Sequence, residues 1–127
     1  MALPNHPLGN RYTRLVGIAH PIIQEGLGPF KTRRLAAAVS NAGGLGTVSM
    51  PGMPVDLAAG ARTFRAHIEE CAALTSQPFA VNIPVGVDGS GEVLPFTDTY
   101  IRLVLAMRRE DSSLARRSRP SRPVSTW

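Results

Sequence analysis

Short apolar runs, bounded by glycine, proline and polar residues, occur three times along this chain, and each run predicts a β-strand. The runs are Leu15–Gln24, with its ordered core at Pro21–Gln24, then Leu45–Ser49 and Phe79–Val85. The third run is nearly all apolar, as parallel strands buried on both faces tend to be, and only Asn82 interrupts it. We expect the three strands to lie in one parallel sheet.

After each run, apolar residues recur every three or four positions, which predicts helices over about 31–42, 57–74 and 96–107. Three strand–helix units of ~30 residues each are typical of an α/β protein. The stripes predicted to face the core are Leu35, Ala38, Val39 and Ala42 in the first helix, Leu57, Ala61, Phe64, Ile68, Cys71 and Ala72 in the second, and Tyr100, Leu103, Val104 and Met107 in the third.

The ends of these helices carry signals of their own. Thr32, Asp56 and Thr97 stand where side chains cap helix N-termini. Gly43-Gly44 ends the first helix, because glycine adopts the left-handed C-cap conformation without steric cost. The sequence Gly43–Gly46 is also similar to a phosphate loop, but it follows a helix and precedes a strand, the reverse of the required order. We therefore interpret it as a helix stop.

Composition narrows the class of protein. A chain of 127 residues can form one domain with a real core. The single cysteine, Cys71, has no internal disulfide partner, and its place in a helical stripe predicts a small buried apolar group. No apolar run approaches the ~18–20 residues that a membrane span needs, and no signal-peptide pattern is visible. We expect a cytoplasmic protein with no membrane partner.

The net charge of +5 is distributed unevenly. Residues 1–105 hold eight basic and seven acidic residues, a net of +1, whereas residues 106–127 hold six basic and two acidic residues, a net of +4. The second segment is rich in Arg, Ser and Pro and has little apolar surface, which predicts disorder. We therefore divide the chain into an α/β domain over 1–105 and a tail over 106–127, with nucleic-acid binding a minor alternative for the tail.

The abrupt change in composition falls within a predicted helix. It suggests the hypothesis that the tail is read out of frame. Translating the parent DNA in the other two frames beyond codon 105 tests this, and finding no strand–helix pattern there would count against it.

Candidate ligand-binding residues follow the predicted strands. Gly26 and Gly28 come directly after the first strand, at the edge where parallel α/β proteins build their ligand sites. Asn82 lies within the third strand, where an unpartnered buried amide would cost on the order of 1–3 kcal/mol. Its amide therefore needs a partner, either a ligand or the protein backbone.

Three segments resemble the nitronate monooxygenase family, also called 2-nitropropane dioxygenase-like proteins. They are Gly17–Gly28, Leu35–Val48 and Pro78–Pro84, and the resemblance covers about residues 12–105. The family consists of FMN-dependent TIM-barrel enzymes that oxidise alkyl nitronates with O2 to a carbonyl compound and nitrite. The resemblance implies that this chain is the N-terminal portion, about three β/α units, of an FMN-binding TIM barrel, followed by a disordered basic tail.

The resemblance also implies cofactor contacts. Gly26, Leu27 and Gly28 would lie against the isoalloxazine ring, since a backbone without Cβ atoms can approach a flat ring closely. Asn82 would contact the polar edge of the ring, because its amide both donates and accepts. The weaker candidates are Thr47 and Ser49 at the end of the second strand.

Other residues depart from the family or lie outside its site. Many relatives have Met where this chain has Leu27, a swap of similar volume, and Glu25 is unusual beside a flavin. The catalytic histidine and the phosphate-binding loops of the family lie later in the barrel. None of His6, His20 and His67 is therefore assigned a catalytic role, and no residue is assigned to a metal.

Two alternatives remain open at this stage. The FMN-dependent enoyl-acyl-carrier-protein reductases begin with very similar segments, and NAD(P)H-dependent flavin reduction would favour them. The second alternative is a non-catalytic remnant or a small binding protein that uses its basic tail. Because a partial barrel leaves strand edges unpaired, we expect the chain alone to be marginally stable, prone to aggregation and inactive.

Overall fold

The computed structural model describes residues 7–28, 30–52 and 55–117, with side chains described as far as residue 111. The elements within these residues are α1 (Arg11–Val16), α2 (Arg33–Asn41), β1 (Gly46–Ser49), α3 (Leu57–Leu74), β2 (Phe79–Asn82) and α4 (Pro95–Arg117). The two strands are parallel neighbours, and their register places Ser49 opposite Asn82. No helix in this part of the chain is long and apolar enough to cross a membrane.

Helix α2 lies directly on strand β1, because the residues at their contact are small. An ideal Cβ built at Gly46 would lie 1.9 Å from the carbonyl oxygen of Ala36. The Ser40 hydroxyl also accepts a hydrogen bond from the Gly46 N–H at 3.0 Å. The residues that α2 buries are Ala36, Ala37 and Ser40.

The predicted stripe of α2 is therefore wrong. Leu35, Ala38 and Ala42 are exposed, and Val39 is only half-buried. Hydrophobicity alone selected the larger side chains, whereas the close approach of helix and strand favours the small ones.

Aromatic rings fill the core between α3 and α4. Tyr100 is fully buried, and its ring meets those of Phe64 and Phe96 edge-on, with centroids 5.1 and 6.2 Å away. Helix α3 begins as predicted, because a carboxylate oxygen of Asp56 accepts hydrogen bonds from the N–H groups of Ala58 and Ala59 at 2.9 and 3.1 Å. The predicted stripes of α3 and α4 are confirmed except for the exposed Ala72.

The segment predicted as the beginning of the first strand is a helix instead. Asn10 and Thr13 form a capping box, in which each side chain accepts a hydrogen bond from the backbone N–H of the other. Helix α1 then ends at Gly17, which adopts the left-handed conformation with φ +83°. Two local end signals therefore outweigh the apolar pattern of Leu15–Ile18.

The ordered core of that predicted strand does lie beside β1, but it pairs only briefly. Ile23 and Leu45 form an isolated parallel bridge. The Leu45 N–H donates to the Ile22 carbonyl at 2.8 Å, and the Gln24 N–H donates to the Leu45 carbonyl at 2.9 Å. Gly43 lies just before this pairing begins. It has φ +95°, the left-handed conformation, which confirms the prediction that Gly43 ends α2.

Strand β2 and helix α4 also differ from expectation. Phe79, Ala80 and Val81 are half-buried and Asn82 is exposed, so the prediction of burial on both faces is wrong. The described residues place only β1 beside β2. Thr97 lies inside α4 and does not cap it, because its hydroxyl bonds to the preceding loop.

The expected disorder does not begin at residue 106, because α4 continues to Arg117. The charged residues at 108–111 extend the helix instead of ending it. Residues 118–127 lie outside the described part of the chain.

The buried Cys71 gives a pH prediction. Burial raises the pKa of its thiol to about 11, above the ~8.5 of an exposed thiol. The folded chain therefore holds this proton over a pH range in which the unfolded chain releases it. The contribution of the Cys71 thiol to the free energy of unfolding is fully present below pH ~8.5 and is lost as the pH rises through about 11.

We expect the free energy of unfolding to fall by about 2 kcal/mol from this thiol between pH 8 and 11. Urea unfolding at several pH values measures the loss, and Cys71→Ala should show a smaller one. Burial also raises the pKa of Tyr100. This residue therefore contributes a loss of stability at high pH in both proteins. An identical pH dependence in the two proteins would contradict the prediction.

Candidate cofactor site

An open cleft lies where β1 and β2 end, and the loop over residues 25–28 forms one of its walls. Its volume is about 540 Å³. The residues that line it are Glu25, Gly26, Gly28, Met50, Gly52, Asn82 and Pro84. Three of the six predicted cofactor residues, Gly26, Gly28 and Asn82, therefore meet at one place.

The backbone of residues 25–28 carries hydrogen-bond donors beside the cleft. None of the hydrogen bonds among the described residues involves the N–H groups of Gly26, Leu27 or Gly28. Backbone N–H groups are obligatory donors, so these three need water or a ligand. Their position beside the cleft suits a ligand with acceptor atoms along an edge.

Gly26 is required by close packing rather than by an unusual backbone angle. An ideal Cβ at this position would lie 2.6 Å from the Asn82 Cβ and 2.9 Å from the Ser49 hydroxyl oxygen. At Gly28 the nearest atom to such a Cβ would be the Met50 carbonyl oxygen, 3.6 Å away. The loop therefore touches the two strand ends at Gly26, with more room at Gly28.

The side chain of Asn82 is available to a ligand. Asn82 is exposed at the end of β2, and no hydrogen bond of its side-chain amide occurs among the described residues. The backbone carbonyl oxygen of Asn82 accepts a hydrogen bond from the Met50 N–H at 3.3 Å. The expectation that this amide is buried is wrong, because β2 ends at Asn82 and leaves its side chain exposed.

Ser49 and Thr47 are buried under the loop and outside the lining of the cleft. The Ser49 hydroxyl is fully buried beneath Gly26 and has no partner within the described residues. Thr47 is 6% exposed, and its backbone bonds to the Gln24 side chain. Ser49 therefore lies next to the cleft, whereas Thr47 lies two residues earlier in β1 and further from it.

Leu27 is at the tip of the loop and is 49% exposed, but it does not line the cleft. Its carbonyl accepts a hydrogen bond from the Phe30 N–H at 3.0 Å, which closes the turn. The residues that the sequence analysis missed are Met50, Gly52 and Pro84. Met50 directly follows a predicted strand, Gly52 lies two residues further on, and Pro84 lies inside the predicted third strand, two residues beyond Asn82. Nearness to the ends of the strands was the signal that could have identified them.

Glu25 is the charged residue in the lining of the cleft. No ion pair of its carboxylate occurs within the described part of the chain. It therefore gives the mouth of the cleft a negative charge.

The histidines of the described residues lie elsewhere. The His20 N–H donates to the Gly43 carbonyl, at the opposite end of β1. His67 is half-buried on α3, where burial and the nearby Arg33 lower its pKa. His6 lies outside the described residues, and the described side chains include no cluster of three or more groups that could hold a metal ion.

A larger groove of about 660 Å³ lies between α3 and α4. Phe79 and Val81 contribute to its apolar lining, and the charged side chains of Arg65, Glu69 and Glu110 also border it. Arg65 pairs with both of these acids, which raises its pKa. The groove contains none of the predicted site residues, so size alone does not identify the ligand site.

Comparison with known proteins gives consistent matches. A sequence model of the nitronate monooxygenase family matches residues 10–102. A nitronate monooxygenase of Pseudomonas aeruginosa is 47% identical over 74 residues, which are 58% of this chain and 19% of that protein. An octahydro-indene carboxyl-CoA dehydrogenase of Mycobacterium tuberculosis is 39% identical over 80 residues, which are 63% of this chain and 21% of that protein.

Solved structures agree with these matches. FabK from Thermotoga maritima is similar with a TM-score of 0.61 and 33% identity, over 77% of this chain and 27% of that one. This chain therefore spans about a fifth of the length of the curated relatives named above. The fold is an N-terminal portion of a TIM barrel, as the family resemblance implied.

Proposed function

The chain belongs to the nitronate monooxygenase family, and from that premise we propose that its cleft binds the isoalloxazine ring of FMN. The proposed reaction is the oxidation of an alkyl nitronate by O2 to a carbonyl compound and nitrite. The observation that carries the proposal is the meeting of Gly26, Gly28 and Asn82 at one cleft, beside three backbone N–H groups that have no acceptor among the described residues.

The residues of the cleft fit a flavin ring. The edge of the ring alternates acceptor and donor atoms, which suits the backbone N–H groups of residues 26–28 and the side-chain amide of Asn82. The buried Ser49 hydroxyl, which has no hydrogen-bond partner among the described residues, lies directly beneath Gly26 and behind this wall. Met50 and Pro84 supply apolar surface to the same cleft.

In this proposal the residues of the chain bind and orient, and FMN supplies the electron transfer between substrate and O2 when it is bound. Gly26 holds the loop close to the strand ends, and the N–H groups of residues 26–28 would bind the polar edge of the ring. Asn82 fixes the ring from the end of the neighbouring strand. No residue of this chain is assigned to a proton-transfer step.

The charge of Glu25 should affect the choice of substrate. A nitronate is an anion, and a carboxylate a few ångströms away opposes it by about 1 kcal/mol in a water-filled cleft. We expect Glu25→Gln to tighten nitronate binding to the FMN-loaded chain about fivefold. The binding of a neutral nitroalkane should stay unchanged.

Perturbation of the flavin absorbance measures both affinities. Glu92→Gln is the matched control, because Glu92 is an exposed acid outside the lining of the cleft. Equal nitronate affinity in the wild-type and Glu25→Gln proteins would show that Glu25 does not face the substrate.

A second candidate is an FMN-dependent enoyl-acyl-carrier-protein reductase, which the likeness to FabK favours. It would use the same cleft for the ring. The two candidates differ in the electron donor, so reduction of the bound flavin by NAD(P)H without a nitronate would favour the reductase.

Equilibrium dialysis of the purified chain against FMN tests the proposal. Retention of one FMN per chain, followed by nitronate-dependent O2 uptake, is the result that supports it. Riboflavin and ATP serve as control ligands that separate recognition of the ring from binding of a phosphate. No retention of FMN or riboflavin would overturn the proposal for this chain.

A further inference from the structure

The edge of strand β1 that faces the first segment is completed by two side chains. In a parallel ladder the N–H of Thr47 would bond to the main chain of the neighbouring segment. Here it donates to the side-chain oxygen of Gln24 at 3.0 Å, and the Gln24 amide nitrogen donates to the Thr47 carbonyl at 3.4 Å. The side-chain amide of Gln24 therefore takes the place of a backbone amide.

The N–H of Ser49, two residues further along the same edge of β1, also bonds to a side chain. The Ser49 N–H donates to the hydroxyl oxygen of Thr32 at 3.1 Å, and Thr32 is only 5% exposed. Thr32 stands at the N-cap position of α2, yet its side chain caps no N–H of that helix. Its hydroxyl serves the strand instead.

These two bonds bracket the loop at residues 25–28. Main-chain pairing with β1 stops after the Gln24 N–H, and the Gln24 and Thr32 side chains satisfy the edge beyond that point. The main chain between them can then leave the sheet without leaving buried donors on β1 unsatisfied. This departure brings Gly26 over Ser49 and Asn82, and the N–H groups of Gly26, Leu27 and Gly28 bond to no other group in the part of the chain that the structure describes.

We propose that Gln24 and Thr32 are positioning residues that hold the cofactor-binding loop at the end of β1. They do not touch the ring themselves. Their role toward FMN rests on the proposed function, whereas their role in completing the strand edge does not. The two roles can therefore be tested separately.

Amide hydrogen exchange of the full chain tests the strand edge without any cofactor. We expect the amides of Thr47 and Ser49 to be protected in the wild-type chain. Gln24→Leu should speed exchange at Thr47 at least tenfold, and Thr32→Val should do the same at Ser49. Thr32→Ser keeps the acceptor oxygen and should restore the protection.

Titration with FMN, followed by its fluorescence, tests the loop. Gln24→Leu and Thr32→Val should each weaken FMN binding about tenfold, and Thr32→Ser should stay within twofold of wild type. The matched control is Asn41→Ala, which removes two side-chain hydrogen bonds at the opposite end of α2, to Leu74 and Thr75. It should lower the stability without changing the affinity for FMN.

The outcomes are distinguishable. Unprotected amides at Thr47 and Ser49 in the wild-type chain would overturn the inference. The inference would also be overturned if Gln24→Leu and Thr32→Val lost no more affinity for FMN than Asn41→Ala does. Protected amides in a chain that binds no FMN would support the strand-edge role and contradict the proposed cofactor.

Discussion

Replacing Gly46 with alanine is expected to destabilise the chain by about 3 kcal/mol or more. The new methyl group would lie 1.9 Å from the Ala36 carbonyl oxygen and 2.6 Å from the Ala36 Cα. These are backbone atoms of α2, so no side-chain rotation relieves the overlap. The helix must move away from the strand and expose the buried residues between them.

Urea unfolding followed by far-UV circular dichroism measures this loss. Because we expect the chain alone to be only marginally stable, a loss of this size should leave Gly46→Ala largely unfolded at 37 °C. Gly89→Ala is the matched control, since a Cβ at Gly89 would meet no atom within 4 Å. Equal stability of the two variants would contradict the direct packing of α2 on β1.

The second large effect is expected at the loop. Gly26→Ala places a methyl group 2.6 Å from the Asn82 Cβ and 2.9 Å from the Ser49 hydroxyl. The loop must then rise from the strand ends, which moves its N–H groups away from the Asn82 side chain. We expect the affinity for FMN to fall at least tenfold, about 1.4 kcal/mol or more.

Gly28→Ala separates folding from binding in this loop. Its methyl group would make only ordinary contacts, with the Met50 carbonyl oxygen at 3.6 Å, so the stability should change by less than about 0.5 kcal/mol. A loss of FMN affinity in Gly28→Ala would therefore report contact between loop and ring. Unchanged FMN affinity in Gly26→Ala would contradict the position of the loop.

Local signals predicted some helix ends, whereas the hydroxyls of the predicted caps Thr32 and Thr97 bond to other segments instead. Asp56 caps α3 and Gly43 ends α2 as expected, because each depends only on residues within one turn of it. The capping box of Asn10 and Thr13 is a signal of the same kind. It was overlooked because the apolar run that begins at Leu15 suggested a strand.

The wrong predictions of burial concern how helices and strands pack against one another. The buried face of α2 depends on how closely Gly46 lets the helix approach, which no periodicity in α2 reveals. The half-exposed β2 depends on what lies beside it in the sheet, and composition does not supply that.

The candidate site was predicted in part. Glycines after one strand and an asparagine at the end of another are signals along the chain, and the parallel topology brings both to one edge of the sheet. The hydrogen bonds of Gln24 and Thr32 to β1 join residues 17 and 23 positions apart, and either side chain has many other possible partners. Only the three-dimensional arrangement identifies them.

The most direct test of the central claim is a map of the FMN contacts on the isotopically labelled chain by nuclear magnetic resonance. FMN should shift the backbone amide signals of Gly26, Leu27 and Gly28 and the side-chain amide signals of Asn82. The amides around Phe79 and Val104, in the groove between α3 and α4, should stay unchanged. Shifts confined to that groove, or no shifts at saturating FMN, would contradict the account.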